Sequence, residues 1–201
     1  GGTYMHAEIV ELLGCGDILA ARAVNPEVGQ QIKEMIAEAE RHCFEGGRFS
    51  WGYGNIMGGL TSIEEKSYGC LTKSGSKPLQ GILTKYGLPP GKGYFIQEGE
   101  PGSGTFHGDP EGVNQFAACG AHLCLFTTGC GSTTGGLIPV IKVIANPKRR
   151  QLIEDNADFD ATPVILGEKT IRQMGEELYQ EILTVAAGKL TKSEIYRHYE
   201  A

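Results

Sequence analysis

Glu64, Glu65 and Lys66 stand side by side in the chain, two carboxylates and an ammonium. Those are the groups that acid–base chemistry and anion binding draw on. Consecutive residues on a helix point about 100° apart, so the three cannot all face one site. In the functional reading, Lys66 holds a carboxylate or offsets the charge of an enediolate beside a glycine-rich loop. In the plain one, Glu64 caps a helix while Glu65 and Lys66 are solvated. A second group is the loop Thr127-Thr-Gly-Cys-Gly-Ser-Thr-Thr-Gly-Gly136, with five hydroxyl side chains and several flexible backbone amides. That is the composition of a site for an anion with many oxygens. Thr127 and Thr128 either bind ligand oxygens or satisfy backbone groups at a strand end. Asn55 is either a partner for a hydroxyl or a turn residue. Cys130 is a metal ligand, a reactive thiol or an inert side chain.

Other clusters point less sharply. His107-Gly108-Asp109-Pro110 carries metal-capable groups, but Asp109 is better explained as a helix cap. His122 and Cys124 alternate along a predicted strand, with Cys119 across a turn. There is no Cys-x-x-Cys pair and no zinc-type histidine spacing, so a self-contained metal site is not expected. The Gly129–Gly135 segment lacks the Walker lysine and the Gly-x-Gly-x-x-Gly spacing, which weakens a nucleotide-binding reading.

Several elements must position these groups. Residues 4–13 read best as a short strand followed by a helix start, with Asp17 as cap over 18–23. Asn25 caps and Pro26 opens a helix over 26–44, where Val28, Ile32, Met35, Ile36 and Ala39 recur at helical spacing. Thr61 with Glu64 has capping-box spacing for a helix over 62–73. Strands are predicted near 93–97, 121–127 and 139–145, sharing one sheet, and Asp109-Pro110 opens a helix between the first two. The last third reads as helical over roughly 147–154, 168–187 and 191–200, with Thr191 and Glu194 as a capping box. Lys148-Arg149-Arg150 reads as a solvated helix start. Short apolar strands alternating with helices predict an α/β domain with a mainly parallel sheet flanked by helices, a Rossmann-like layering. Ligands in such sheets bind at the carboxyl ends of the strands, where the Thr127–Gly136 loop emerges.

The bulk numbers narrow the class. The chain has 201 residues, 40% of them apolar and 21% charged, enough for a core and unlike a disordered segment. A formal charge of -6 disfavours nucleic acid as partner. No membrane-length apolar run or signal-peptide pattern is present, and six scattered cysteines suit reduced thiols in the cytoplasm.

The segment Gly54-Asn-Ile-Met-Gly-Gly-Leu-Thr-Ser-Ile-Glu-Glu-Lys-Ser-Tyr-Gly-Cys70 resembles the signature of the altronate and galactarate dehydratase family, which also includes a subunit of sulfolactate sulfo-lyase. Leu19–Gly29, Leu125–Gly129 and Pro139–Lys142 resemble family segments in the same order, over most of residues 1–188. The resemblance implies that residues 1–201 are the C-terminal domain of a longer cytoplasmic dehydratase; the residue pattern itself gives a helical tail over about 168–201. It implies a hydro-lyase acting on a sugar acid: a base removes the proton beside the carboxylate, the enediolate is stabilised, and a hydroxyl leaves with acid or metal help. A divalent metal, Fe2+ or similar, is implied, with most ligands outside this chain. A homo-oligomer is expected, and the chain alone is expected to be silent. Catalytic roles fall to Lys66 and Glu65, and substrate contacts to Asn55, Thr61, Ser67, Thr127, Thr128 and Ser132; Asn55, Lys66, Thr127 and Thr128 are expected to share one cleft.

Two departures matter. The family loop usually reads Thr-Thr-Gly-Arg-Gly-Thr-Pro, whereas this chain has Cys130 in place of the arginine, removing a bidentate carboxylate clamp and shifting anion binding toward Lys66. Gly14-Cys-Gly-Asp17 stands where the family commonly has Gly-Ala-Glu-His. The rival readings are a sulfo-lyase, a phosphate-binding module and a non-catalytic structural domain.

Overall fold

The computed structural model describes residues 2–7, 9–44, 53–84, 86–97 and 109–199. In chain order these form β1 (Thr3–His6), a 3-10 turn (Ile9–Glu11), α1 (Gly16–Ala20), α2 (Pro26–Phe44), α3 (Tyr53–Met57), α4 (Ile63–Lys73), β2 (Leu79–Leu83) and β3 (Gly93–Gln97). There follow α5 (Asp109–Ala118), β4 (Cys124–Thr128), β5 (Val140–Ile144), a 3-10 turn (Arg150–Ile153), β6 (Phe159–Asp160), α6 (Thr162–Ile165), α7 (Ile171–Ala186) and α8 (Lys192–Tyr196). The chain divides into two compact units, one of residues 1–51, 60–107 and 118–120, the other of 52–59, 108–117 and 121–201.

The first unit is built on a parallel sheet in the order β1-β3-β2. Its core joins Leu12, Leu19, Ile32, Ile36, Leu79 and Ile96. The helix over 26–44 forms as expected. Asn25 Oδ1 accepts the Val28 N–H at 2.8 Å, Pro26 occupies the first turn, and Ile32 and Ile36 sit one turn apart on the buried face. Asp17 is not a cap: it lies inside α1, and its carboxylate sits 2.7 Å from Lys33 Nζ. The helix starts earlier than expected, with Cys15 at the N-cap and no side-chain cap bond.

Tyr94, on the central strand, is buried, with its hydroxyl 3.4 Å from His6 Nδ1 and the Arg22 guanidinium 5.6 Å from the ring centre. Burial pushes its phenol up to about 12, against the smaller opposing pull of Ser74 and Arg22. A pKa raised on folding favours the neutral phenol. The contribution is therefore complete below the ordinary tyrosine value near 10 and is lost as pH climbs through about 12. Replacing Tyr94 by Phe should flatten the fall in stability between about pH 10 and 12, measured by denaturant titration. An unchanged alkaline limb would show that the phenol contributes nothing to it.

The second unit carries another parallel sheet, β4-β5-β6. All five residues of β5 are buried because both faces are covered. Val140 packs with Val113, Phe116 and Cys124 on one side, while Ile141 and Val143 meet Leu178, Ile182 and Val185 of α7 on the other. Thr170 with Gln173 and Thr191 with Glu194 form capping boxes at α7 and α8.

The α/β class with parallel pairing holds. The single sheet does not: residues 93–97 belong to one sheet, and 124–128 with 140–144 to another. An apolar run identifies a strand but not its partner, and β3 is completed by β1 and by β2, whose Gln80-Gly81 centre hides the pattern. Among the described residues no helix is long and apolar enough to cross a membrane.

Candidate functional site

In the first unit the charged triplet is sorted by the turn of α4. Ser67, Cys70 and Ser74 are buried and Lys66 is half-buried on that face, whereas Glu64, Glu65, Tyr68 and Gly69 are exposed. Spacings of three and four residues select the inward side. The cap falls one residue later than expected: Ser62, not Thr61, is the N-cap, and its Oγ accepts the Glu65 N–H at 3.3 Å. Glu65 reaches back, so that Thr61 donates both its N–H and its hydroxyl to Oε2, each at 2.7 Å. Those bonds, the backbone one foremost, hold the Glu65 carboxyl below the ordinary glutamate value. The Ser62 hydroxyl does the same for Glu64. Glu65 and Thr61 thus bond to each other at the helix start.

Lys66 turns the other way. Its ammonium lies 2.9 Å from Glu11 Oε1, in the 3-10 turn after β1. Ser67, the next residue, is buried; its carbonyl lies 3.8 Å from Cys15 Sγ, and among the described residues its hydroxyl has no hydrogen-bond partner. A carboxylate and an ammonium held together suit proton transfer and anion contact.

In the second unit the carboxyl ends of the parallel strands gather the other candidates. Thr127 is exposed and Thr128 half-buried at the end of β4, and Thr128 Oγ1 accepts the Gly131 N–H at 2.9 Å. Ser132 and Thr134 hydroxyls lie 2.7 Å apart, and the Thr134 carbonyl accepts from Lys142 Nζ, a fully buried lysine of β5, at 3.4 Å. Asn55 is half-buried on α3, one turn before Gly58. Asn146, after β5, joins these pieces: its Nδ2 donates to Gly58 O at 3.1 Å and to Gly129 O at 3.0 Å. The approach is close, since a Cβ on Gly129 would stand 3.3 Å from Gly58 O. Asn55, Thr127, Thr128 and Ser132 therefore share the second unit, while Thr61, Glu65, Lys66 and Ser67 belong to the first.

Sequence reasoning missed Glu11, Lys142, Asn146 and Arg149. Asn146-Pro147, directly after an apolar strand, is the one signal that was available, the same dipeptide as Asn25-Pro26. Glu11 and Lys142 sit in apolar runs that gave no hint of a charge turned inward. Arg149 was grouped with a solvated cluster, yet its Nε donates to Cys130 O at 3.4 Å and its Nη2 to Cys130 Sγ at 3.3 Å.

Among the described residues no three His, Cys, Asp or Glu side chains gather to hold a metal ion. His107 and Gly108 lie outside the described residues.

Residues 1–201 match the family model described as D-galactarate/altronate dehydratase, C-terminal, and the chain belongs to this family. It is 31% identical over 207 residues to the (2R)-sulfolactate sulfo-lyase subunit beta of Chromohalobacter salexigens, covering 100% of this chain and 52% of that one. It is 32% identical over 193 residues to galactarate dehydratase (L-threo-forming) of Escherichia coli, covering 94% of this chain and 36% of the relative. Against altronate dehydratase of Escherichia coli the identity is 29% over 200 residues, covering 96% and 38%. The chain spans about half or less of the length of these relatives.

Proposed function

We propose that this chain forms the C-terminal part of a hydro-lyase that dehydrates a sugar acid of the altronate or galactarate kind. The observation that carries the reading is the family match along the whole of residues 1–201. The local chemistry agrees with it. Lys66 sets a positive charge where the carboxylate or the enediolate forms, and Glu11 and Lys66 together can relay the proton taken from carbon. The second unit, taken by itself, offers the Asn55 amide and the Thr127, Thr128 and Ser132 hydroxyls as partners for the neutral oxygens of a polyhydroxy ligand. The hydroxyl next to the carbanion departs as water after protonation, leaving an enol that becomes a 2-keto acid. Glu65 and Thr61 serve this arrangement by starting α4 in register.

The rest of the reaction centre, including the ligands of a divalent ion such as Fe2+, belongs to the remaining polypeptide, and the working form is a homo-oligomer in the cytoplasm. None of the six cysteines is joined in a disulfide, which suits a reducing compartment. The second reading is a sulfo-lyase, in which sulfite leaves in place of water; the relative of that name aligns with 100% of this chain.

The test assays the natural protein that carries this chain with galactarate, altronate and (2R)-sulfolactate, each with Fe2+ supplied, reading keto-acid and sulfite release. Keto acid from a sugar acid without sulfite release is the expected result. Sulfite release from sulfolactate alone would transfer the assignment to the second reading. The 201-residue chain by itself is expected to turn over none of the three, and measurable turnover by it would refute the division of the reaction centre.

A further inference from the structure

We infer that Arg149 is the carboxylate-binding residue of the second unit, an inference that rests on the sugar-acid reading and assigns its anion contact. Three features of the second unit carry it. The first is position. Thr128 ends β4 and Cys130 follows it, and Asn146 and Arg149 follow β5, so both segments stand at the carboxyl edge of one parallel sheet. Connections in such sheets place ligand-binding groups at that edge.

The second is unused bonding capacity. A guanidinium carries five N–H donors. Arg149 spends two, on Cys130 O and on Cys130 Sγ, the latter a weak acceptor, which leaves three. Among the described residues no carboxylate lies within ion-pair distance of it. Its neighbour Arg150 is by contrast 2.8 Å from Asp160 Oδ2. A half-buried guanidinium without an anion is matched by a ligand carboxylate, which takes two parallel N–H bonds from the planar fork.

The third is preparation. Asn146 Oδ1 accepts the Lys148 N–H at 3.1 Å and its carbonyl accepts the Arg149 N–H at 3.1 Å, fixing the turn that carries the guanidinium. The same side chain ties that turn to Gly129 and to Gly58, one helical turn from Asn55. The charge is thereby held beside the hydroxyls of the Thr127–Gly136 loop before any ligand arrives. A carboxylate at Arg149 leaves the carbons and hydroxyls of a hydroxy acid to lie along Thr128 and Asn55.

The test uses the natural protein in two arms. In the kinetic arm, Arg149→Gln should raise KM for the best substrate among galactarate, altronate and (2R)-sulfolactate by about tenfold or more, the size of a lost charged hydrogen bond, with a smaller change in kcat. Arg149→Lys should recover part of the loss by restoring the charge without the fork. The second arm needs neither turnover nor a variant. Phenylglyoxal modification of Arg149, followed by mass spectrometry, should be slowed by galactarate and left unchanged by the neutral polyol galactitol. Protection by galactarate without turnover of any substrate would defeat the dehydratase reading and leave the carboxylate site standing. Labelling insensitive to galactarate, or KM within twofold in a folded Arg149→Gln protein, would overturn the site itself.

Discussion

Replacing Lys66 by Met in the natural protein is expected to raise KM for its sugar acid by about tenfold or more and to cut turnover, while leaving most of the folding stability in place. The Lys66 and Glu11 side chains are 22% and 23% exposed, between a surface pair and a sealed one. A surface pair contributes about 0–1 kcal/mol. Breaking a sealed pair costs about 3–5 kcal/mol, because the remaining charge stays buried. An intermediate cost of about 1–3 kcal/mol follows, too small to unfold a protein of ordinary stability. The double variant Glu11→Gln with Lys66→Met separates the two effects. Removing both charges should return much of the stability and none of the activity. Should activity track the folded fraction in both variants, Lys66 is a structural partner of Glu11 and nothing more.

Gly131→Ala, in the hydroxyl-rich loop, should be strongly destabilising. Gly131 has a φ of +103°, where side chains are strained, and an added Cβ would overlap the Ile153 side chain. Strain and overpacking together amount to about 2–4 kcal/mol. For a chain of this size that is a fall of about 5–15 °C in Tm. The shift would also pull the Gly131 N–H from Thr128 Oγ1, so affinity for the substrate should drop with stability. Gly112→Ala is the control within the same unit: it lies inside α5 with no atom within 4 Å of an added Cβ, and should raise stability by up to about 1 kcal/mol. A Gly131→Ala protein that melts like the parent would show that the loop can give way at Ile153.

The elements most legible from residue order were those with local causes. The α2 helix announces itself through Asn25, Pro26 and the Ile32–Ile36 spacing, and α8 through Thr191 and Glu194. What escaped depends on partners distant in the chain. Nothing local says that Gly93–Gln97 pairs with Thr3–His6 rather than with Cys124–Thr128. Nor does anything local separate Arg149, turned onto a loop nineteen residues earlier, from Lys148, which is exposed, or Arg150, which meets Asp160. The family segment supplied the candidate residues for the site. The loss of an arginine at Cys130 was visible in the sequence, and the guanidinium that rests on the Cys130 sulfur was not.

The division into two units has a consequence for how the protein is made. Ribosomal synthesis completes the first unit once residue 120 has emerged. The second takes residues 52–59 and 108–117 from before that point, so α3 exists well before the strands of its unit and α5 shortly before them. Val113 must then wait for Cys124 and Val140 to be translated before its apolar face is covered. No single peptide bond separates the units, and neither can be inherited, excised or shuffled as a contiguous cassette.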